Sequence, residues 1–311
     1  MPTRLRPFLL VLVLCIAAAG LTACGGDSDT PAGAGGTKIV VASLAGGPGA
    51  FSESEGEVLA HLYGKALENA GVEVEYRIKV GDRAAAVAAL EKGEIDMVPE
   101  YLGGLLGFFD PSEARGRPVP ESLKALRAAA PKGITVADAS PAAGGEVIAV
   151  TKDLATSSGL KTISDLRKLP APVVLAAPID CATSETCFPG LRSVYGLDVG
   201  LNPIGPEAGG PDTKKALQDG TAHIGRLYSS DPDTGRGGKY VVLEDDLLVQ
   251  RPGNIVPVLR TVKATPAIRA VLNHASKALT TEKLAELNEK IEKDGEAPAA
   301  VADGFAATEK L

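Results

Sequence analysis

The sequence predicts a two-lobed α/β protein in which each lobe is a mainly parallel sheet flanked by helices. Short β-rich runs alternate with helical patterns along most of the chain, the signature of parallel sheets with right-handed crossovers. A sparse repeat adds a second observation. Ala89-Leu90-Glu91-Lys92-Gly93 closes a helix, and Glu94-Ile95-Asp96-Met97-Val98-Pro99-Glu100-Tyr101 follows as a strand with an aromatic at its exit. Ala216-Leu217-Gln218-Asp219-Gly220 repeats the helix end, and Tyr228 follows Gly220 at the spacing at which Tyr101 follows Gly93. Each copy needs a Gly just past its helix. The plain interpretation is two ordinary helix-to-strand turns; the sharper one is two similar lobes, each offering a Tyr to one shared cleft. Third, two stretches interrupt the pattern, 137–145 and 250–253, and serve as the hinge candidates.

The elements follow in order. Lys38 to Ser43 is a short buried strand, then a Gly-rich loop from Leu44 to Phe51 leads into a helix from about Ser52. Glu53, Glu55 and Glu57 suit that helix's N-terminal dipole. The loop has no GxGxxG and no Lys-Ser/Thr, so it is not a phosphate cradle. Val72 to Val80 alternates like a half-buried strand. Asp82 caps a helix over Arg83–Lys92, and Ile95–Val98 is the third strand. Ligands in such sheets sit beyond the carboxyl ends of strands, where Ser43, Glu100 and Tyr101 fall. A helix over Glu121–Ala130 and a strand over Ile134–Val136 precede the first hinge. Strands at Glu146–Thr151, Val173–Ala177, Ala222–Leu227 and Lys239–Leu243 build the second lobe, with helices capped by Ser164 and Asp212. Ile255–Leu259 returns as a strand, and three helices end the chain, Pro266–Leu279, Thr281 to about Lys293, and Pro298–Thr308. Two crossings place 38–140 with 251–311 in lobe 1 and 141–250 in lobe 2.

Composition bounds the function. The 311 residues, 45% of them hydrophobic, suffice for two lobes with their own cores. The net charge of −7 argues against nucleic acid, which is bound by excess Lys and Arg. The N-terminus says more. Arg4 and Arg6 precede an apolar run from Phe8 to Ala19, then Leu21-Thr22-Ala23-Cys24. That is a secretory signal over 1–23, too short for an ordinary membrane span. Leu-Thr-Ala-Cys resembles the bacterial lipobox, which makes Cys24 the lipidated first residue of the mature chain; an incidental Cys after a plain signal is the alternative. Residues 24–37, which after Cys24 are only Gly, Ser, Asp, Thr, Pro and Ala without apolar periodicity, form a flexible tether. The protein is expected on the outer face of the cytoplasmic membrane. Cys181 and Cys187 remain there, in a compartment where disulfides persist, and a short-range disulfide is expected. A redox or metal pair is the rival, without Cys-x-x-Cys spacing to support it.

Several segments together resemble a known family. They are the Leu90–Tyr101 run with its Glu-Ile-Asp-x-x-Pro-Glu-Tyr core, Val150-Thr151-Lys152-Asp153-Leu154-Ala155, Ile163-Ser164-Asp165-Leu166, Tyr195-Gly196-Leu197, Ala208-Gly209-Gly210-Pro211-Asp212 and Leu279–Leu284. They are similar to the substrate-binding proteins of glycine betaine/carnitine/choline/proline ABC importers, the OpuAC-like osmoprotectant family, from Lys38 to the C-terminus. The resemblance implies a periplasmic-binding-protein-like clamshell that closes on a small osmolyte and delivers it to a membrane permease driven by its ATPase. It implies a monomer that needs no cofactor or metal. The family's quaternary ammonium ligands sit in boxes of aromatic faces, each good ring worth about 0.5–2 kcal/mol. By position Tyr101 and Tyr228 match residues near those boxes, with Phe51 a further candidate. Two rings supply at most about 4 kcal/mol, and a micromolar site needs about 8 kcal/mol. Ser43, Glu100, Asp180, backbone groups and lobe closure would supply the rest. Glu100, if it faces the cleft, would favour choline over zwitterionic betaine.

Rival functions are an exported clamshell enzyme such as a dehydratase, with Glu100 or Asp231 as its acid or base, and a solute sensor. His61, His223 and His274 are scattered, and no Gly-x-Ser-x-Gly elbow occurs. Glu244-Asp245-Asp246 and Asp231-Pro232-Asp233 lack the EF-hand pattern and read as solvated turns.

Overall fold

The computed structural model describes residue 1 and residues 38–45, 52–113, 115–205, 208–235 and 237–311. Residues 2–37, which hold the expected signal after Met1, Cys24 and the expected tether, and Phe51 lie outside the described residues. The first half alternates as its sequence requires: β1 (Lys38–Ala42), α1 (Glu53–Asn69), β2 (Glu73–Arg77), α2 (Arg83–Lys92) and β3 (Met97–Tyr101). Ser52 Oγ accepts from Glu55 N at 3.1 Å and Asp82 Oδ1 accepts from Ala85 N at 2.9 Å, so α1 and α2 both start on a side-chain cap worth about 1 kcal/mol. Gly93, at φ +77°, stops α2 in the left-handed region where a side chain would be strained. Then come α3 (Leu102–Phe109), α4 (Val119–Ala129) and β4 (Ile134–Val136). The chain crosses to β5 (Glu146–Thr151), α5 (Lys152–Ser158), β6 (Val173–Ala177), α6 (Phe188–Ser193), β7 (Val199–Pro203), α7 (Pro211–Gln218), β8 (Ile224–Tyr228) and β9 (Tyr240–Val242). It returns through β10 (Ile255–Arg260) and ends in α8 (Pro266–Ala278), α9 (Thr281–Glu292) and α10 (Pro298–Glu309).

Two five-stranded sheets result, ordered β2-β1-β3-β10-β4 and β7-β6-β8-β5-β9. The orders match strand for strand, with β3 and β8 central and Tyr101 and Tyr228 as their last residues. The repeat in the sequence is therefore a repeat of topology. Neither sheet is mainly parallel, however. β1 pairs parallel with β2 and β3, as β6 does with β7 and β8, but β10 and β5 each run antiparallel to both neighbours. The reason is the route of the chain. β5 and β10 are the strands that arrive from the other sheet. They enter where the parallel strands end, so Ile255 pairs with Tyr101 and Glu146 with Tyr228.

Each sheet has its own apolar packing. Val58, Leu59, Leu62 and Tyr63 of α1 are fully buried with Leu272, Ala275 and Phe305 of the C-terminal helices against the first sheet. Ile148, Val150, Leu175, Leu191 and Tyr195 pack around the second. Two caps differ from expectation. Thr162, not Ser164, caps the short helix over Ile163–Lys168, because Thr162 and Asp165 form a reciprocal capping box. α7 begins at Pro211 on Gly210 without a side-chain cap, and Asp212 sits inside its first turn.

The crossings touch. Gly144 N donates to Gly253 O at 3.0 Å and Ile255 N to Ala142 O at 3.0 Å. A Cβ on Gly253 would lie 2.3 Å from Gly145 Cα, and one on Gly145 would lie 2.7 Å from Gly253 Cα, so only glycine fits at either position.

Candidate ligand-binding cleft

A cleft of about 250 Å³ opens where the two sheets' strand ends converge on these crossings. The first lobe contributes Arg83, Tyr101 and Gly104; the second contributes Glu146, Asp180, Ser184, Thr186 and Arg226; the crossings contribute Gly145, Gln250, Arg251, Pro252 and Gly253. Tyr101 is the only ring among the described residues that line it.

Each charged wall residue is held by its own element. Arg83 opens α2 and turns inward onto Glu100 of β3. Its Nε lies 2.9 and 3.1 Å from the two carboxylate oxygens, and its Nη2 donates to Oε2 at 3.0 Å. Glu100 Oε2 also accepts from Tyr101 N at 3.0 Å. Arg226 of β8 is 6% exposed and donates through Nη2 to Glu146 Oε2 of the neighbouring strand. Its Nη1 has no hydrogen bond and lies 3.7 Å from Asp180 Oδ2. Burial, and the nearby Asp180 charge, hold the Glu146 carboxyl above its usual range despite Arg226.

The Cys181–Cys187 disulfide is present; its loop supplies Ser184 and Thr186 to the cleft, and Asp180 stands immediately before it. A staple at this strand exit shapes one wall.

Behind the cleft lies a buried polar hub. Tyr101 Oη donates to Glu55 Oε1 at 2.5 Å, and Asn288 Nδ2 donates to Glu55 Oε2 at 2.7 Å and to Ser230 O at 3.0 Å. Glu55 on α1 is thus joined through α9 to the segment just beyond β8. Burial first, then the Glu55 charge, push the Tyr101 hydroxyl well above an ordinary phenol, and Tyr228 is near enough to add to the effect. Tyr101 is neutral throughout the physiological range and presents its ring, not a phenolate.

The candidate residues from the sequence therefore part company. Tyr101 and Asp180 line the cleft. Tyr228 is buried at 7% exposure beside Tyr101 and outside the lining. Ser43 is fully buried, and its Oγ accepts from Lys79 N at 2.9 Å, which makes it part of the β1 exit turn. Glu100 is 1% exposed and faces Arg83 rather than the cleft, so its expected preference for choline loses its basis. Arg226, Arg251 and Glu146 went unread in the sequence. The one local signal was the glycine spacing Gly103-Gly104-Leu105-Leu106-Gly107, which makes room for two guanidinium groups.

The profile described as the substrate-binding domain of ABC-type glycine betaine transport systems, OpuAC, matches residues 48–308. The chain belongs to the OpuAC family. Within that family it is 27% identical over 260 residues to the glycine betaine-binding protein YehZ of Escherichia coli strain K12, covering 79% of this chain and 85% of YehZ. Its fold is similar to a glycine betaine/carnitine/choline ABC transporter structure, with a TM-score of 0.75 at 20% identity, covering 88% of this chain and 98% of the other. It is similar to apo YehZ with a TM-score of 0.74 at 21% identity, over 88% and 98% of the two chains. As an OpuAC protein it carries the two-lobed substrate-binding domain of an ABC-type glycine betaine transport system. No helix among its described residues is long and apolar enough to cross a membrane.

Proposed function

We propose that this OpuAC protein works as a lipid-anchored monomer that traps a small osmolyte, of the glycine betaine, choline, carnitine or proline type, in the Arg83–Tyr101–Asp180–Arg226 cleft and passes it to a permease. The observation that carries the reading is the position of this cleft. It sits at the strand ends of two sheets of matching order, with both crossings as its floor. A site so placed changes shape when the halves rotate, which couples occupancy to a closed form that a permease can recognise. We take 38–140 with 251–311, and 141–250, as the two halves, because the chain leaves the first sheet after β4 and rejoins it at β10. Tyr101 provides one ring face and Asp180 a carboxylate for the cationic end of the solute.

Binding without turnover is the reading for this cleft. Glu100 and Asp231, the acid or base of an enzymatic alternative, are each tied to a cation, Arg83 and Lys214. Calorimetry with glycine betaine, choline, carnitine and proline tests the ligand class. Saturable heat at micromolar concentration with at least one is expected. No heat with any of the four, and no rise in melting temperature, would remove the osmolyte reading.

The anchor rests on the Leu21-Thr22-Ala23-Cys24 sequence. In a bacterial host, Cys24→Ala is expected to abolish labelling by radioactive palmitate and to leave the protein unprocessed or soluble. Unchanged labelling and membrane attachment would contradict the assignment.

A further inference from the structure

We propose that Arg251 sets the specificity of this cleft: it receives the anionic group of a zwitterionic solute whose cationic end faces Asp180 and Tyr101, and solutes with the same cationic head but no anion are discriminated against. The inference deepens the osmolyte reading above and rests on it.

The charges in the cleft do not all cancel within the protein. Arg83 is matched by Glu100, and Arg226 by Glu146. Arg251 has no carboxylate partner among the described residues; its Nε is buried without a hydrogen bond, and burial alone holds its pKa below the ordinary guanidinium value. On the second lobe's side of the same cleft, Asp180 stands 72% exposed with the 3.7 Å contact to Arg226. One unmatched cation and one exposed anion lining a single small cleft are the electrostatic complement of a zwitterion. A lone cation would satisfy Asp180 and leave Arg251 desolvated, which is costly once the cleft closes.

Arg251 is also seated as a fixed group. A Cβ on Gly103 would lie 2.5 Å from Arg251 Cβ, and a Cβ on Gly107 would lie 2.5 Å from Arg251 Nη1. Two glycines of α3 thus make a track along the whole side chain, at the cost of helix propensity in both places. Gly103 N donates to Pro252 O at 2.8 Å and pins the backbone beside it. A side chain held this way loses little rotamer freedom on binding.

Glycine betaine and choline make the test clean, since they share the trimethylammonium head and differ in carboxylate against hydroxymethyl. Calorimetry on the wild-type protein, Arg251→Gln and Arg251→Lys is read as the ratio of the two affinities, with melting temperature as the check on folding. Wild type is expected to prefer glycine betaine by about tenfold or more, the scale of one charge-assisted hydrogen bond. Arg251→Gln should cost glycine betaine about tenfold to a hundredfold and leave choline within about threefold. Arg251→Lys should fall between, keeping charge without the fork. Equal wild-type affinities overturn the proposal, as does an Arg251→Gln loss of the same size for both solutes, which is what a merely structural arginine would give. If Arg251→Gln does not fold, the wild-type ratio and Arg251→Lys decide. Absence of binding by both solutes overturns this proposal, and absence extended to carnitine and proline overturns the ligand-class reading as well, a result distinct from binding without discrimination.

Discussion

Replacing Arg83 by Ala is expected to destabilise the protein by about 3–5 kcal/mol, the usual cost of leaving one member of a buried pair without the other. The reason is the state in which it leaves Glu100. That side chain is 1% exposed at the centre of the first sheet, and Arg83 meets both its oxygens. With Arg83 gone, the carboxylate keeps Tyr101 N as its partner and loses its counter-charge. For a domain of this size the melting temperature should fall by roughly 10 °C. The double variant Arg83→Met with Glu100→Leu should recover most of the loss, since removing both charges removes the desolvation cost along with the attraction. A melting temperature unchanged in Arg83→Ala, or a double variant no better than the single one, would contradict this account of the pair.

Glu55→Ala should cost about 2–4 kcal/mol, combining the lost acceptor for a buried hydroxyl with the cavity left behind. Glu55 has no exposed surface and accepts from Tyr101 Oη and Asn288 Nδ2. Its loss frees the Tyr101 ring to move and unties α1 from the Asn288–Ser230 contact, so solute affinity should fall together with stability. Glu55→Gln keeps one acceptor and sets an amide NH2 against the second donor, so it should cost about 1–2 kcal/mol, less than Ala. Equal losses in Ala and Gln would mean that the hub needs both acceptor oxygens of the carboxylate. An Ala variant with wild-type melting and affinity would show that the hub does not position Tyr101.

Much of the architecture was legible because local signals agreed with one another. Asp82 caps α2, Gly93 stops it, and Tyr101 and Tyr228 end equivalent central strands. What escaped had physical reasons. α3 begins directly at the end of β3 with no side-chain cap and carries three glycines in eight residues, which reads as a loop. Those glycines answer to Arg83 and Arg251, residues distant in sequence, so no local propensity explains them. β7 carries Gly200, Asn202 and Pro203, poor strand residues that an edge position tolerates. The antiparallel sense of β5 and β10 depends on which end of a sheet the chain enters, and periodicity says nothing about that.

The site was less legible than the fold, for a related reason. Strand alternation places Glu100 and Tyr101 on opposite faces of β3, and only the tertiary structure says which face meets Arg83 and which meets the hub. Asp180 lines the cleft because a strand exit followed by a short Cys–Cys loop limits where it can be. Arg251 sits in a stretch that composition marks as a hinge, and hinge residues are seldom read as ligand contacts.

The most direct measurement is a crystal structure of the protein grown with glycine betaine. The account expects one molecule in the cleft, with its carboxylate within hydrogen-bond distance of Arg251 and its trimethylammonium head against the Tyr101 ring and Asp180. A bound molecule elsewhere on the surface, or one whose carboxylate points away from Arg251 while the cleft stays open, would contradict it.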